Sequence, residues 1–128
     1  MQYNAQKFNF PILDGISEQQ IEAHLGLYEG YVKHINLLRE QIKDLETLDK
    51  EKYAYAITET RRRLGFEWNG MRMHEYYFAQ WEKGSEGGKT DGPTGGKLAG
   101  AVSEKYGSWE KFIEHFKAVG MSRGIGWT

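Results

Sequence analysis

SEQQIEAHLGLYEGYVKHINLLREQIKDL, residues 17–45, is the stretch from which the fold is read. Ser17 is a strong helix N-cap, and Gln20 three residues later completes a capping-box pattern. Beyond it Ile21, Leu27, Tyr28, Tyr31, Ile35, Leu38, Ile42 and Leu45 fall in one stripe at ~100° per residue, with charged residues over most of the other face. The spacing predicts a long amphipathic helix. A stripe of this kind must be buried against something.

Its partner follows directly. Residues 46–52 are a polar connection, and a second helical pattern covers residues 53–81, with Tyr53, Ala56, Gly70, Met71, Tyr77, Phe78 and Trp81 on its stripe. Two long helices with a short link predict an antiparallel hairpin. Gly65 and Gly70 mark places where the second helix kinks or another backbone approaches closely. Upstream, residues 1–15 read as an extended lead-in with Pro11 and the Asp14-Gly15 turn near its end. Downstream, residues 84–96 are glycine-rich and read as a linker. Two shorter helices are expected at 97–106 and 108–120, broken at Gly107 with Ser108 as N-cap. The glycine-rich stretch 121–128 ends on Trp127-Thr128, where a strand could begin without a partner to pair with. The expected fold is mainly α: a hairpin domain over 1–83, the linker, and over 97–128 the start of an α+β domain whose sheet is missing.

Composition narrows the chemistry. A hydrophobic content of 39% supports a core and argues against wholesale disorder. Seventeen basic residues against 18 acidic ones leave a net charge of −1, so no broad field draws in nucleic acid or an acidic membrane. The absence of cysteine removes disulfides, thiolate metal sites and cysteine nucleophiles. Protein metal ligands must then be His, Asp, Glu or backbone groups. The N-terminal residues are polar and carry no apolar signal core, and no apolar run approaches the roughly 20 residues that span a bilayer. A cytoplasmic location is the expectation.

Two histidines stand out. His24 lies on the apolar stripe of the first helix and His74 on that of the second. A buried imidazole needs polar partners. Either both converge on one metal ion, as bundle cores often arrange, or each bonds a backbone carbonyl or a Tyr hydroxyl. Spacing leaves both open. Tyr28 and Tyr31 follow His24 by four and seven residues and share its side of the helix, as core aromatics or as proton-relaying hydroxyls. Glu67, two turns before His74, reads as an ion-pair or solvent-margin residue ahead of a metal partner. His34 and His115 read as surface or boundary residues. Helical geometry spreads Arg61, Arg62 and Arg63 around the axis as a solvated face. The glycine-rich segment lacks Walker A order, and no Ser-His-Asp arrangement is visible.

The order of motifs adds a resemblance. Ile21-Glu22-Ala23-His24, Tyr31-Val32-Lys33-His34-Ile35-Asn36, Phe66-Glu67-Trp68-Asn69-Gly70 with His74-Glu75-Tyr76-Tyr77-Phe78, Pro93-Thr94-Gly95, Tyr106-Gly107-Ser108-Trp109-Glu110-Lys111-Phe112 and Gly124-Ile125-Gly126-Trp127 follow one another over most of residues 9–128. In this order they resemble the iron/manganese superoxide dismutase family. The resemblance implies conversion of superoxide to oxygen and hydrogen peroxide by one redox-cycling Fe or Mn ion per subunit. It implies that His24 and His74 are two of the protein ligands, that a tyrosine guides substrate and protons, and that Trp127 stands beside the site. It also implies a homodimer or homotetramer, while charge balance and hydropathy argue against a nucleic-acid or membrane partner. The family's further Asp and His ligands lie in an Asp-x-Trp-Glu-His motif that does not occur in this sequence, so the chain is expected to be a truncated member.

Some positions depart from the pattern. The family usually has Tyr eight residues after its first ligand, where this chain has Val32; Tyr31 is one residue early. Tyr28 stands where a histidine supporting the ligands is common. Gly70 stands where many iron enzymes carry Gln and manganese enzymes Gly, a lean towards manganese or mixed use. The competing expectation is a non-catalytic helical interaction module that retains the dismutase scaffold.

Overall fold

A computed structural model describes residues 2–82, 95–124 and 126–128. Most of the expected linker, residues 84–94, lies outside the described residues, and so does Ile125. The chain divides into two compact units, Met1–Ser85 and Glu86–Thr128. Among the described residues there are four helices and no strand: α1 (Glu18–Glu46), α2 (Ala54–Ala79), α3 (Gly96–Tyr106) and α4 (Trp109–Gly120).

In the first unit α1 and α2 form the hairpin. The capping box is present: the Ser17 hydroxyl accepts from the Gln20 N–H at 3.2 Å, and the Ser17 N–H donates to Gln20 Oε1 at 3.1 Å. The register is antiparallel, because the sequence separation between partners shrinks along α1. His24 meets His74, Tyr31 meets Phe66, His34 meets Glu67 and Glu46 meets Arg61. Tyr28, Val32, Ile35, Met71 and Phe78 form the buried cluster.

The seam differs from the predicted stripes in two ways. On α1 its centre is Tyr28, Val32 and Ile35, at i, i+4 and i+7, and Leu27 is 63% exposed. Leu27 lies one residue, about 100°, off that line, so a stripe drawn to include it is too wide. On α2 the buried positions are Ile57, Glu67, Met71, His74, Glu75 and Phe78, while Ala56 is exposed. These positions keep a helical period, but half of them are polar, which blurs the apolar pattern. α2 runs unbroken through Gly65 and Gly70. At Gly70 the close approach is that of a side chain, not of a backbone: an added Cβ would fall on the ring carbons of Tyr31. At Gly65 it would meet open space.

Residues 2–10 are extended and bound to the hairpin. The Tyr3 N–H donates to Asn36 Oδ1 at 2.9 Å, and Asn36 Nδ2 donates back to the Tyr3 carbonyl at 2.8 Å. The pair imitates one rung of a β ladder with a side-chain amide. Gly15, at φ +80°, makes the turn into α1.

The second unit packs α3 against α4. Gly107 breaks them at φ +85°, and the Ser108 hydroxyl accepts from the Lys111 N–H at 3.3 Å as N-cap of α4.

Candidate metal centre

Burial inside the hairpin brings two imidazoles together. The rings of His24 on α1 and His74 on α2 lie 4.8 Å apart, centroid to centroid, nearly perpendicular at 80°. His74 is 4% exposed and His24 half-buried. His74 Nδ1 lies 2.7 Å from the Gly70 carbonyl one turn earlier. A carbonyl can only accept, so Nδ1 carries the proton and the lone pair falls on Nε2. Burial, and after it the neighbouring His74, hold the His24 pKa below its ordinary value. Its ring is therefore neutral at neutral pH, the form that ligates metals.

Aromatic rings wall the pair. Tyr77 and Phe78 each lie 5.1 Å from His24. Tyr31 lies 5.1 Å from His74 and Tyr28 6.3 Å. The two candidate tyrosines differ. Tyr31 is half-buried and rests on Gly70, beside the carbonyl that fixes His74. Tyr28 is fully buried, and its hydroxyl is engaged away from the imidazoles. That hydroxyl accepts from the Gln6 N–H at 2.8 Å and donates to Glu75 Oε1 at 3.2 Å. Burial, reinforced by the Glu75 carboxylate, raises its pKa. An open cleft lined by Gly15, Ile16, Gln20, Leu27, Tyr77 and Trp81 reaches His24. Trp127 belongs to the second unit and is 45% exposed.

Carboxylates are close by but occupied. Glu67 is 1% exposed, which corrects a solvent-margin placement; it pairs with Arg63 Nε at 2.6 Å and stands 3.5 Å from His34 Nδ1. Glu75 is bound by Tyr28 and by Arg72. Among the described residues no group of three or more His, Cys, Asp or Glu could hold a metal ion. The donor set is thus a pair of imidazoles. Its chemistry, two neutral nitrogens from facing helices, fits part of the coordination sphere of a divalent or trivalent first-row ion.

Sequence reading missed Glu75, Arg72 and Tyr77. The signal for the first two was present as an i, i+3 charge pair flanking His74. Tyr77 was placed on the stripe, with no sign that it would meet His24.

Comparison with known proteins supplies parentage. A "Superoxide dismutase [Fe]" from Saccharolobus solfataricus is 34% identical over 115 residues, covering 88% of this chain and 53% of the relative. One from Sulfolobus acidocaldarius is 33% identical with the same coverage. The chain is a relative of the iron/manganese superoxide dismutases. "Superoxide dismutase [Mn] 3.1, mitochondrial" from Zea mays is 32% identical over 82% of this chain and 43% of its own length. The chain spans about half the length of the curated relatives it matches. No protein-family model matches it. The helical hairpin is consistent with the helical domain of such dismutases, and no helix among the described residues is long and apolar enough to cross a membrane.

Proposed function

We propose that this chain is the helical part of an iron- or manganese-dependent superoxide dismutase and that His24 and His74 are two of its metal ligands. One observation carries the reading: the 4.8 Å approach of two imidazoles from separate helices. The tautomer set at His74 by Gly70 adds to it. When bound, Fe or Mn supplies one-electron chemistry, alternating between trivalent and divalent states.

The chain's own residues do the rest. His24 and His74 hold the ion in the hairpin and the aromatic rings restrict water. Tyr31, over Gly70 and against His74, would hand a proton to reduced substrate, with Tyr28 fixed by Gln6 and Glu75. Gly70 keeps the space that Tyr31 fills. Overall two superoxide ions and two protons give one oxygen and one hydrogen peroxide. A cytoplasmic antioxidant enzyme acting as a homodimer or homotetramer completes the proposal.

Two imidazoles alone leave most of the coordination sphere to water, so the 128-residue chain binds Fe or Mn weakly and turns over slowly. Titration with Mn(II), followed by the loss of its free electron-resonance signal, tests this. Binding should be lost in His24→Gln and His74→Gln while the helical circular dichroism stays. Equal manganese binding in wild type and both variants would overturn the ligand assignment. A second reading, a non-catalytic helical interaction module, is favoured by the lack of a third donor among the described residues. It predicts no specific manganese binding in any of the three proteins.

A further inference from the structure

Two rings are shared between the imidazoles and the extended segment at residues 2–10. Phe78, fully buried, meets Phe8 at 5.3 Å and Phe10 at 5.7 Å, and it also meets His24 at 5.1 Å and His74 at 6.0 Å. Tyr28 meets Phe8 at 5.8 Å and His74 at 6.3 Å. A two-helix hairpin covers only one side of each helix, so Phe78 and Tyr28 reach full burial because the segment closes their open flank.

The fastening is polar and continuous. The Tyr28 hydroxyl accepts from the Gln6 N–H and donates to Glu75 Oε1; the other carboxylate oxygen of Glu75 is paired with Arg72, which also donates to the Tyr76 hydroxyl at 3.2 Å. Both hydrogen-bonding capacities of the buried hydroxyl are spent on holding segment to helix. A carboxylate buried to this degree is costly unless every partner is kept, so the network tolerates one arrangement.

We infer that residues 2–10 are a strap that positions the His24–His74 pair, with Tyr28, Glu75 and Arg72 as positioning residues that latch it; the inference rests on the donor-pair reading above. The strap holds Phe78 and Tyr28 in place, and those two rings hold the imidazoles. Its release lets both rings, and with them the imidazoles, relax into the space it vacates.

The test uses the full metal-free chain. Gln6→Pro removes the N–H that Tyr28 accepts, and Phe8→Ala removes a ring from Phe78. Both changes lie on the strap, away from the two histidine-bearing helices. Amide hydrogen exchange and the carbon–proton signals of the two imidazole rings are read in each variant. The Tyr3 amide, which donates to Asn36 Oδ1, and the Asn9 amide, which donates to Glu82 Oε1 at 3.1 Å, should exchange about tenfold faster, as loss of one net hydrogen bond or ring contact implies. The Val32, Ile35 and Met71 amides should be unchanged, and the His24 and His74 ring signals should shift or broaden. Glu75→Gln, which still accepts from Tyr28 but loses Arg72, should loosen the same amides to a smaller degree. Unchanged exchange at Tyr3 and Asn9 would overturn the latch. A loosened strap with stationary imidazole signals would overturn the positioning role, and so would uniform acceleration that includes Val32. Because no metal enters, a chain that passes this test yet binds no manganese sinks the dismutase proposal and leaves the strap standing.

Discussion

The ring of Tyr31 rests on the bare Cα of Gly70, where even a methyl group would overlap it. The contact ties the two helices together at the level of the Gly70 carbonyl that accepts from His74. Gly65, one and a half turns earlier on the same helix, faces open space. The two glycines therefore answer differently to the same substitution. Gly65→Ala should stabilise the chain by about 1 kcal/mol, the helix-propensity difference between Gly and Ala. Gly70→Ala gains the same propensity but overpacks the Tyr31 ring, which costs about 1–3 kcal/mol, so it should be destabilising by about 1 kcal/mol. Urea unfolding of the two variants side by side checks this; equal stabilisation by both would show that Tyr31 does not sit where described.

Glu67 provides a second contrast. It is buried, held by a half-exposed Arg63 one turn upstream, and approached by His34. Arg63→Met removes the main partner and leaves a buried charge. With His34 still within reach, the cost should be about 2 kcal/mol, below the range for a pair that loses its only partner. Replacing both, Arg63→Met with Glu67→Leu, removes the stranded charge and should recover most of that loss. A double-mutant cycle in urea gives the coupling. Additive losses would mean that the two side chains do not interact.

What the sequence discloses and what it hides follow from one cause. Local signals with a fixed offset are legible: Ser17 with Gln20, Ser108 as N-cap, and the break at Gly107 all appear where spacing puts them. The hairpin is legible too, because two amphipathic stripes joined by a short polar link have few other ways to be buried. The width of the seam is not. Hydrophobicity counts Leu27 as core and Glu67 and Glu75 as surface, whereas Leu27 is exposed and both carboxylates are buried. The glutamates can sit inside because Arg63 and Arg72, one turn upstream, reach their oxygens. Such i, i+3 and i, i+4 pairs are visible in the sequence, but nothing local distinguishes a buried pair from a solvated one. Whether Tyr28 or Tyr31 faces the imidazoles is also illegible. The choice is made by Gln6 and Glu75, distant in sequence, which claim the Tyr28 hydroxyl.

The lowered pKa of His24 makes stability depend on pH in a definite direction. Burial and the adjacent His74 keep its ring neutral in the folded chain below the pH at which the unfolded chain takes up a proton. In that interval the unfolded state binds more protons, so stability rises with pH. The contribution is fully present above the ordinary histidine range, near pH 6.5, and declines as the pH falls below it. Metal-free wild type should therefore lose stability as the pH falls below about 6.5, the ordinary histidine value, over and above the carboxylate effects that dominate at lower pH. His24→Gln should flatten that part of the curve. Thermal unfolding at closely spaced pH values gives the comparison; a wild-type profile no steeper than the variant's would mean that His24 titrates as a solvated residue.

The protonation pattern of His74 can be read without any metal. Free histidine prefers the Nε2–H tautomer, and the 2.7 Å contact of Nδ1 with the Gly70 carbonyl reverses that preference by making Nδ1 the donor. Long-range nitrogen–proton correlation spectra of the metal-free chain at neutral pH should show His74 with a protonated Nδ1 and an unprotonated Nε2. Only that tautomer presents Nε2 as a ligand without first losing a proton, so it is the one a donor pair in the hairpin requires. Addition of Zn(II), a spectroscopically silent imidazole-binding ion, should move the Nε2 resonance of His74 while leaving Nδ1 protonated on Gly70. If His74 instead carries its proton on Nε2, the carbonyl contact does not set the ring, and the hairpin holds two packed core histidines in place of two ligands.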